Sequence, residues 1–515
     1  MKKILIFAAA ICVMFAISGC GGTGGGPGPG GPTDTNLPER KFWAINIVTN
    51  QPYQLDAQLL AENNRCQVWV EKGSGVTAAQ ATAVANEFRD KIYPSLMRAL
   101  GWEDEDTGIN TMQFADILGD QNGKLIILLL DIIDGYSGGG YVAGYFNPGD
   151  LLAGTNSNRA DMIYMDINPG KVDTPEFYGT IAHEMQHLMN FVTSWLFIMN
   201  SDDTNGYRTG LMETWIDEGL SEAAEWIYSG EPSLGRFLQY YLDPTGLIAK
   251  GANFYVWDNY DEDYAVLNDY ATVNLFFQWL RLNFGNEIYR DILSSSLHAN
   301  YQAVTSAVNK AAPPSWEELL GAWHVANYIN STDTNSIFGY RNDPLLKQVK
   351  AHRLAQTGTT WSLFPGEAVY TFSSSSISAA TIAGYLGGTI RYRGMGDTEP
   401  LDNVPADSTL LTYNVAIAAY NASGIALVNT TTYGTITGQI APSTNIQSSA
   451  FGSRSAFVSG PHRIGAGDML RRRGFDGSFN ITSSTLSETA GRSVIINPKP
   501  ALPVNPDRIT RYRAN

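Results

Sequence analysis

"TIAHEMQHLMNF", residues 180–191, places His183 and His187 four residues apart with Glu184 beside the first. Helix-start signals lie just upstream: Asp173 and Thr174 suit a cap, Pro175 the first turn, and Glu176 the positive end of the helix dipole. From there Phe177, Ile181, Met185, Leu188 and Val192 recur at helical spacing, which predicts an amphipathic or fully buried helix. Residues i and i+4 share a helix face, so the two imidazoles stand one turn apart and can reach one zinc ion. Glu184 is then placed to poise a water for attack. Gly179, one turn before His183, would let another backbone approach closely. Two ordinary buried or surface histidines are the competing reading, and the chain holds only six histidines in 515 residues.

"ETWIDEGLSEAAEWI", residues 213–227, follows a polar break at 200–210 and reads as a second helix with Trp215, Leu220, Ala223, Ala224 and Ile227 as its apolar positions. A zinc site with two histidines needs a third protein ligand and an open position for water. Glu218 is the natural candidate. Glu222, one turn on, has the spacing for a carboxylate that takes the free N–H of a ligating histidine and fixes its tautomer. Glu213 and Glu225 read as solvated charges.

The combination "HEMQHLMNF" followed by "ETWIDEGLSEAAE" resembles the hyicolysin-like bacterial neutral metallopeptidases, within the wider gluzincin group. The resemblance implies zinc bound by His183, His187 and Glu218, with Glu184 as general base. Thermolysin-type enzymes carry an aspartate four residues after the ligand glutamate, where it orients a histidine; that place here holds Glu222, with a longer side chain. The resemblance spans residues from about 40 to 345. It also implies that the strand "ADMIYMDIN", just before the metal helix, borders the cleft and pairs with extended substrate. Related gluzincin aminopeptidases stabilise the oxyanion with a tyrosine at the start of a later helix. "DYATVNLFFQWL" resembles that segment and gives the role to Tyr270, with Tyr264 and His298 as rivals.

Formal net charge is −16, which disfavours nucleic acid or an anionic membrane surface as a partner. The run "RRR" at 471–473 reads as a solvated loop. Residues 1–20, "MKKILIFAAAICVMFAISGC", have the short basic start and short apolar core of a signal peptide rather than a spanning helix. The segment ends in "ISGC", which resembles a bacterial lipobox with Cys20 as the lipidated residue. Residues 21–38 read as a Gly/Pro-rich tether with no means of forming a core. Cys12 would leave with the signal, so Cys66 has no intramolecular partner and reads as a buried, inert thiol.

The rest divides by texture. Residues 39–199 form an α/β part with strands at "CQVWVE" and "KLIILLLDII", the second central and buried on both faces. A helix covers "AAQATAVANEFRDKIYPSLMRAL", and "DGYSGGGYVAGYFNPGD" (134–150) reads as a loop without a phosphate-binding signature. Residues 200–350 are helical, with aromatic stripes that read as core. Residues 351–515 turn to Ser, Thr, Gly and alternating runs, an all-β accessory region most simply a sandwich; it contains His462 but no metal spacing. The fold class expected is an α+β zincin-like catalytic domain, a mixed sheet plus a helical subdomain, followed by this C-terminal β domain. The function expected is a lipid-anchored, extracytoplasmic zinc peptidase acting on protein or peptide substrates. A binding lipoprotein that has lost activity is the alternative, against which the intact Glu184 argues. A structural metal site would close with four protein ligands, and no cysteine is near.

Overall fold

Alternation of polar and apolar residues makes the first described segment a strand. In β1 (Glu39–Asn46) Phe42 and Ala44 are buried while Glu39 and Lys41 face solvent, the period-two pattern of a half-buried strand. β1 pairs antiparallel with β2 (Gln51–Glu62), and β2 with β3 (Cys66–Glu71). β4 (Leu125–Leu130), with the sequence LIILLL, is buried at every position, as a strand covered on both faces must be. It runs parallel to β3 on one side and to β6 (Met162–Asp166) on the other, and the short β5 (Gly144–Phe146) closes the edge. The sheet order among the described residues is β1-β2-β3-β4-β6-β5. The structure, a computed structural model, describes residues 37–102, 122–137, 141–152, 154–201, 206–241 and 265–349, and strand segments between 360 and 439. The signal segment with Cys20, the tether up to residue 36, Tyr264, His462 and the run at 471–473 lie outside the described residues.

Three expectations change here. Within the stretch read as a loop at 134–150, Gly144–Phe146 is a strand, antiparallel to β6, with Tyr145 stacked on Tyr164 at 4.1 Å. Three buried residues are too few to show an alternation. Because β5 pairs with β6, the "ADMIYMDIN" strand has neighbours on both sides and cannot itself receive an extended chain. The segment read as one helix from 78 to 100 is instead α1 (Ala78–Glu87), a π-helical turn (Phe88–Ile92) and α2 (Tyr93–Leu100). Pro94 has no N–H to donate and its ring crowds the carbonyl of Asp90, four residues back; the wider turn accommodates both.

α3 (Pro175–Met199) packs on β5 and β6 and begins as its sequence predicts, the Thr174 hydroxyl accepting from the Phe177 N–H at 3.3 Å. α4 (Thr214–Ser229), α5 (Leu234–Tyr241), α6 (Ala265–Phe284), α7 (Ile288–Leu293), α8 (Tyr301–Val308) and α9 (Trp316–Ile329) follow. Contacts divide the chain into two units. One comprises Met1–Glu213, Leu220–Glu231 and Tyr289–Ala299, and holds the six-stranded sheet and α1 to α3. The other comprises Thr214–Gly219, Pro232–Ile288 and Asn300–Asn515. In the second unit the aromatic stripes are core, as expected: the Phe276 ring meets Trp279, Trp316 and Trp323 at 5.5–6.0 Å between centroids. Beyond residue 351 the described segments are strands. β8 (Ala368–Ser373), β10 (Ala422–Asn429) and β9 (Leu410–Ile417) form one antiparallel sheet, and β11 (Ile436–Gln439) pairs with β7 (Thr360–Leu363). No helix among the described residues is long and apolar enough to cross a membrane.

Candidate metal centre

The buried face of α3 carries His183 and His187 at 0% and 2% exposure, their ring centroids 4.9 Å apart. Glu218, on α4, is 2% exposed. One ligand atom from each of His183, His187 and Glu218 falls within 4.8 Å of the others. Two imidazole nitrogens and one carboxylate oxygen, with no thiolate near, suit zinc with an open position for water. The sequence-predicted ligands are therefore brought together. Glu184 lies beside them at 1% exposure.

Contacts at the Nδ1 atom of each ring leave the other nitrogen to face a metal. Ser221 donates its hydroxyl to Gln186 Oε1, so its oxygen is free to accept from His187 Nδ1–H, 3.1 Å away. On the other ring, His183 Nδ1 lies 3.3 Å from Glu225 Oε1. With both Nδ1 atoms turned to these partners, the Nε2 lone pairs are left for a ligand. Neither Ser221 nor Glu225 emerged from sequence reasoning. Ser221, three residues past Glu218, carries no signal of its own. Glu225 is seven residues past Glu218, two turns along the same face, and that periodicity was the available sign.

Glu225 is thus not a solvated charge; it is half-buried against His183. Glu222 is 1% exposed and its carboxylate also falls with His183 and Glu225 in a group whose atoms lie within 4.8 Å. No other backbone comes close to Gly179 among the described residues. A Cβ there would find only the Glu225 side chain, at 3.9 Å and beyond. The glycine set close against the metal helix is Gly144 of β5. A Cβ on it would stand 2.9 Å from the Tyr164 carbonyl, 3.1 Å from Thr180 Cγ2 and 3.2 Å from Glu184 Cγ. Edge strand and metal helix therefore meet at Glu184.

Tyr270 is buried on α6, with the Arg236 guanidinium 4.5 Å from its ring centroid. The backbone carbonyl of His298 accepts from Arg208 at 3.4 Å. Cys66 is buried, and burial pushes its thiol up to about 12, far from a reactive thiolate.

An HExxH helix against the edge of a mixed sheet, with a glutamate from the following helix beside it, is compatible with a zincin-like metal centre. Comparison with known proteins agrees. The chain is 29% identical over 321 residues to the neutral metalloprotease ShpI of Staphylococcus hyicus, a match covering 60% of this chain. It spans 66% of that relative's length, slightly under two thirds. The likeness to neutral metallopeptidases of the hyicolysin type thus extends well beyond the two motifs. No model of a protein family matches the chain.

Proposed function

We propose that the protein is a zinc metallopeptidase that hydrolyses peptide bonds of extracytoplasmic proteins or peptides. The observation that carries this reading is the convergence of buried His183, His187 and Glu218 within 4.8 Å, with Glu184 buried beside them. His183, His187 and Glu218 would hold the ion, which when bound lowers the pKa of a coordinated water to about 7 and polarises the scissile carbonyl. Glu184 takes the proton of the attacking water and returns it to the leaving amine. Gly144 lets the stem of Glu184 lie against β5. Glu225, with Glu222 beside it, holds the His183 ring, and Ser221 holds that of His187. Tyr270 is assigned to the oxyanion by resemblance alone. The relative's name, neutral metalloprotease, supports the class of reaction.

The purified mature chain should carry about one zinc and lose proteolysis with a chelator. Glu184→Gln should keep zinc and fold yet lose on the order of 10²-fold or more in kcat, the usual scale for removing a general base. Full activity in that variant would sink the mechanism, and zinc-free protein would sink the site. Loss of activity with zinc retained also separates a peptidase from a binding lipoprotein, for which Glu184 would not matter.

The cellular setting proposed is a lipid anchor on Cys20 at the end of residues 1–20, a tether at 21–38 and an accessory β region at 351–515. Cys20→Ala should release the protein from membranes, since stable attachment needs more than one acyl chain at about 0.8 kcal/mol per buried CH₂. Membrane partitioning that survives a salt wash in that variant would refute the anchor.

A further inference from the structure

Arg208, in the segment leading to α4, is 5% exposed. Its Nη2 donates to the Ser194 hydroxyl at 3.1 Å and its Nη1 to the His298 carbonyl at 3.4 Å, with the Phe197 ring centroid 5.2 Å away. Nε is buried without a hydrogen-bond partner. Among the described residues no carboxylate pairs with this guanidinium, and burial alone lowers its pKa, to about 10. A buried cation without an anion is costly, and natural structures keep one where something else supplies the negative charge.

Its position says what that is. Ser194, which holds the guanidinium, follows His187 by seven residues on α3, two turns along the same face. The rise over that distance is about 10 Å. An extended peptide advances about 3.3 Å per residue, so the guanidinium lies about three residues from a bond held at the metal ligands. Arg208 is no more enclosed than those ligands, 5% exposed against 0–2%. A planar fork with unused donors is suited to a carboxylate and ill-suited to a neutral amide.

We propose that Arg208 is a specificity-determining residue that receives a carboxylate of the peptide substrate about three residues from the cleaved bond. This rests on the peptidase reading. The carboxylate is either an acidic side chain or a free C-terminus, and the test separates the two.

The test uses one neutral peptide in three forms: capped at both ends, with a free C-terminal carboxylate, and capped with glutamate placed two to four residues to either side of the bond. The zinc-loaded wild type should cleave one carboxylate form with kcat/KM on the order of 10–100-fold above the capped peptide, the scale of a charge-assisted hydrogen bond. Arg208→Met should abolish that preference through KM, leaving the capped peptide within about threefold. Arg208→Lys, which keeps the charge without the fork, should retain part of it. Equal losses on all peptides, or a wild type without preference, would overturn the proposal. Should Arg208→Met not fold, calorimetric binding of the same peptides to Glu184→Gln reads the preference without turnover. It also distinguishes failure here from failure of the peptidase reading, which would appear as no cleavage of any peptide. A further arm tests Asp202→Asn together with Asp203→Asn. If that variant loses thermal stability and the carboxylate preference is absent, the counter-charge is internal and the proposal falls.

Discussion

α3 and α4 are both buried helices that bring carboxylates and imidazoles to one place, yet they differ in how directly their residues declare their positions. On α3 the two histidines lie one turn apart on a single helix, so backbone geometry alone places them together. On α4 the glutamates 218, 222 and 225 also share a face, but which one meets which ring depends on where α4 lies against α3. Four-residue spacing favours Glu222 as the partner of a ligating histidine; the 3.3 Å contact with His183 is made by Glu225. Periodicity fixes a face, and packing chooses the residue on it.

Substitutions along α4 test that difference. The largest effect is expected from Glu218→Ala, which should strip most of the zinc, read by metal analysis of dialysed protein. Glu225→Gln should weaken zinc affinity or activity by about 10–100-fold, the range for a carboxylate that orients a ligating histidine, and Glu222→Gln by less. If Glu222→Gln proves the more damaging, the four-residue spacing was the better guide and the assignment of Glu225 is wrong.

On the α3 side, Gly144→Ala should lower kcat by roughly 10–100-fold, the scale of displacing a reacting group by up to an ångström, while zinc content and KM stay close to wild type. Its Cβ would press on the Tyr164 carbonyl, on Thr180 Cγ2 and on Glu184 Cγ, and on no ligand. Zinc loss in this variant would show that β5 supports the whole helix rather than the base.

A smaller effect contrasts the metal centre with the sheet beside it. Asp150 is 1% exposed, accepts from Tyr164 Oη at 2.6 Å and from the Asn158 N–H at 2.8 Å, and burial pushes its carboxyl up to about 6. A carboxyl raised in the folded state favours folding most when protonated. Its contribution is full below about pH 4, its unfolded value, and is lost as pH rises through about 6. Asp150→Asn should therefore gain stability relative to wild type as pH rises from about 4 to about 6, read as the difference in urea midpoints. A pH-independent difference would mean that the hydrogen bonds fully offset the burial.

Much of this protein follows from the sequence alone. The cap at Thr174 with Pro175 after it, the apolar recurrence at helical spacing, and the i, i+4 histidines determine a buried helix with two candidate ligands on one face, because helix geometry is local. The unbroken run Leu125–Leu130 likewise determines a central strand, since only a strand covered on both faces tolerates it. Glu218 was legible because two histidines call for a third ligand and the next buried helix offers one. Tertiary structure alone decided what depends on neighbours distant in sequence. Pairing made a strand of Gly144–Phe146 and closed the edge of β6. Helix packing set Glu225 and Ser221 on the two imidazoles. The fold also buried Arg208 with no acid against it among the described residues, because no pattern in a chain records which side chains will be left facing one another once it has folded.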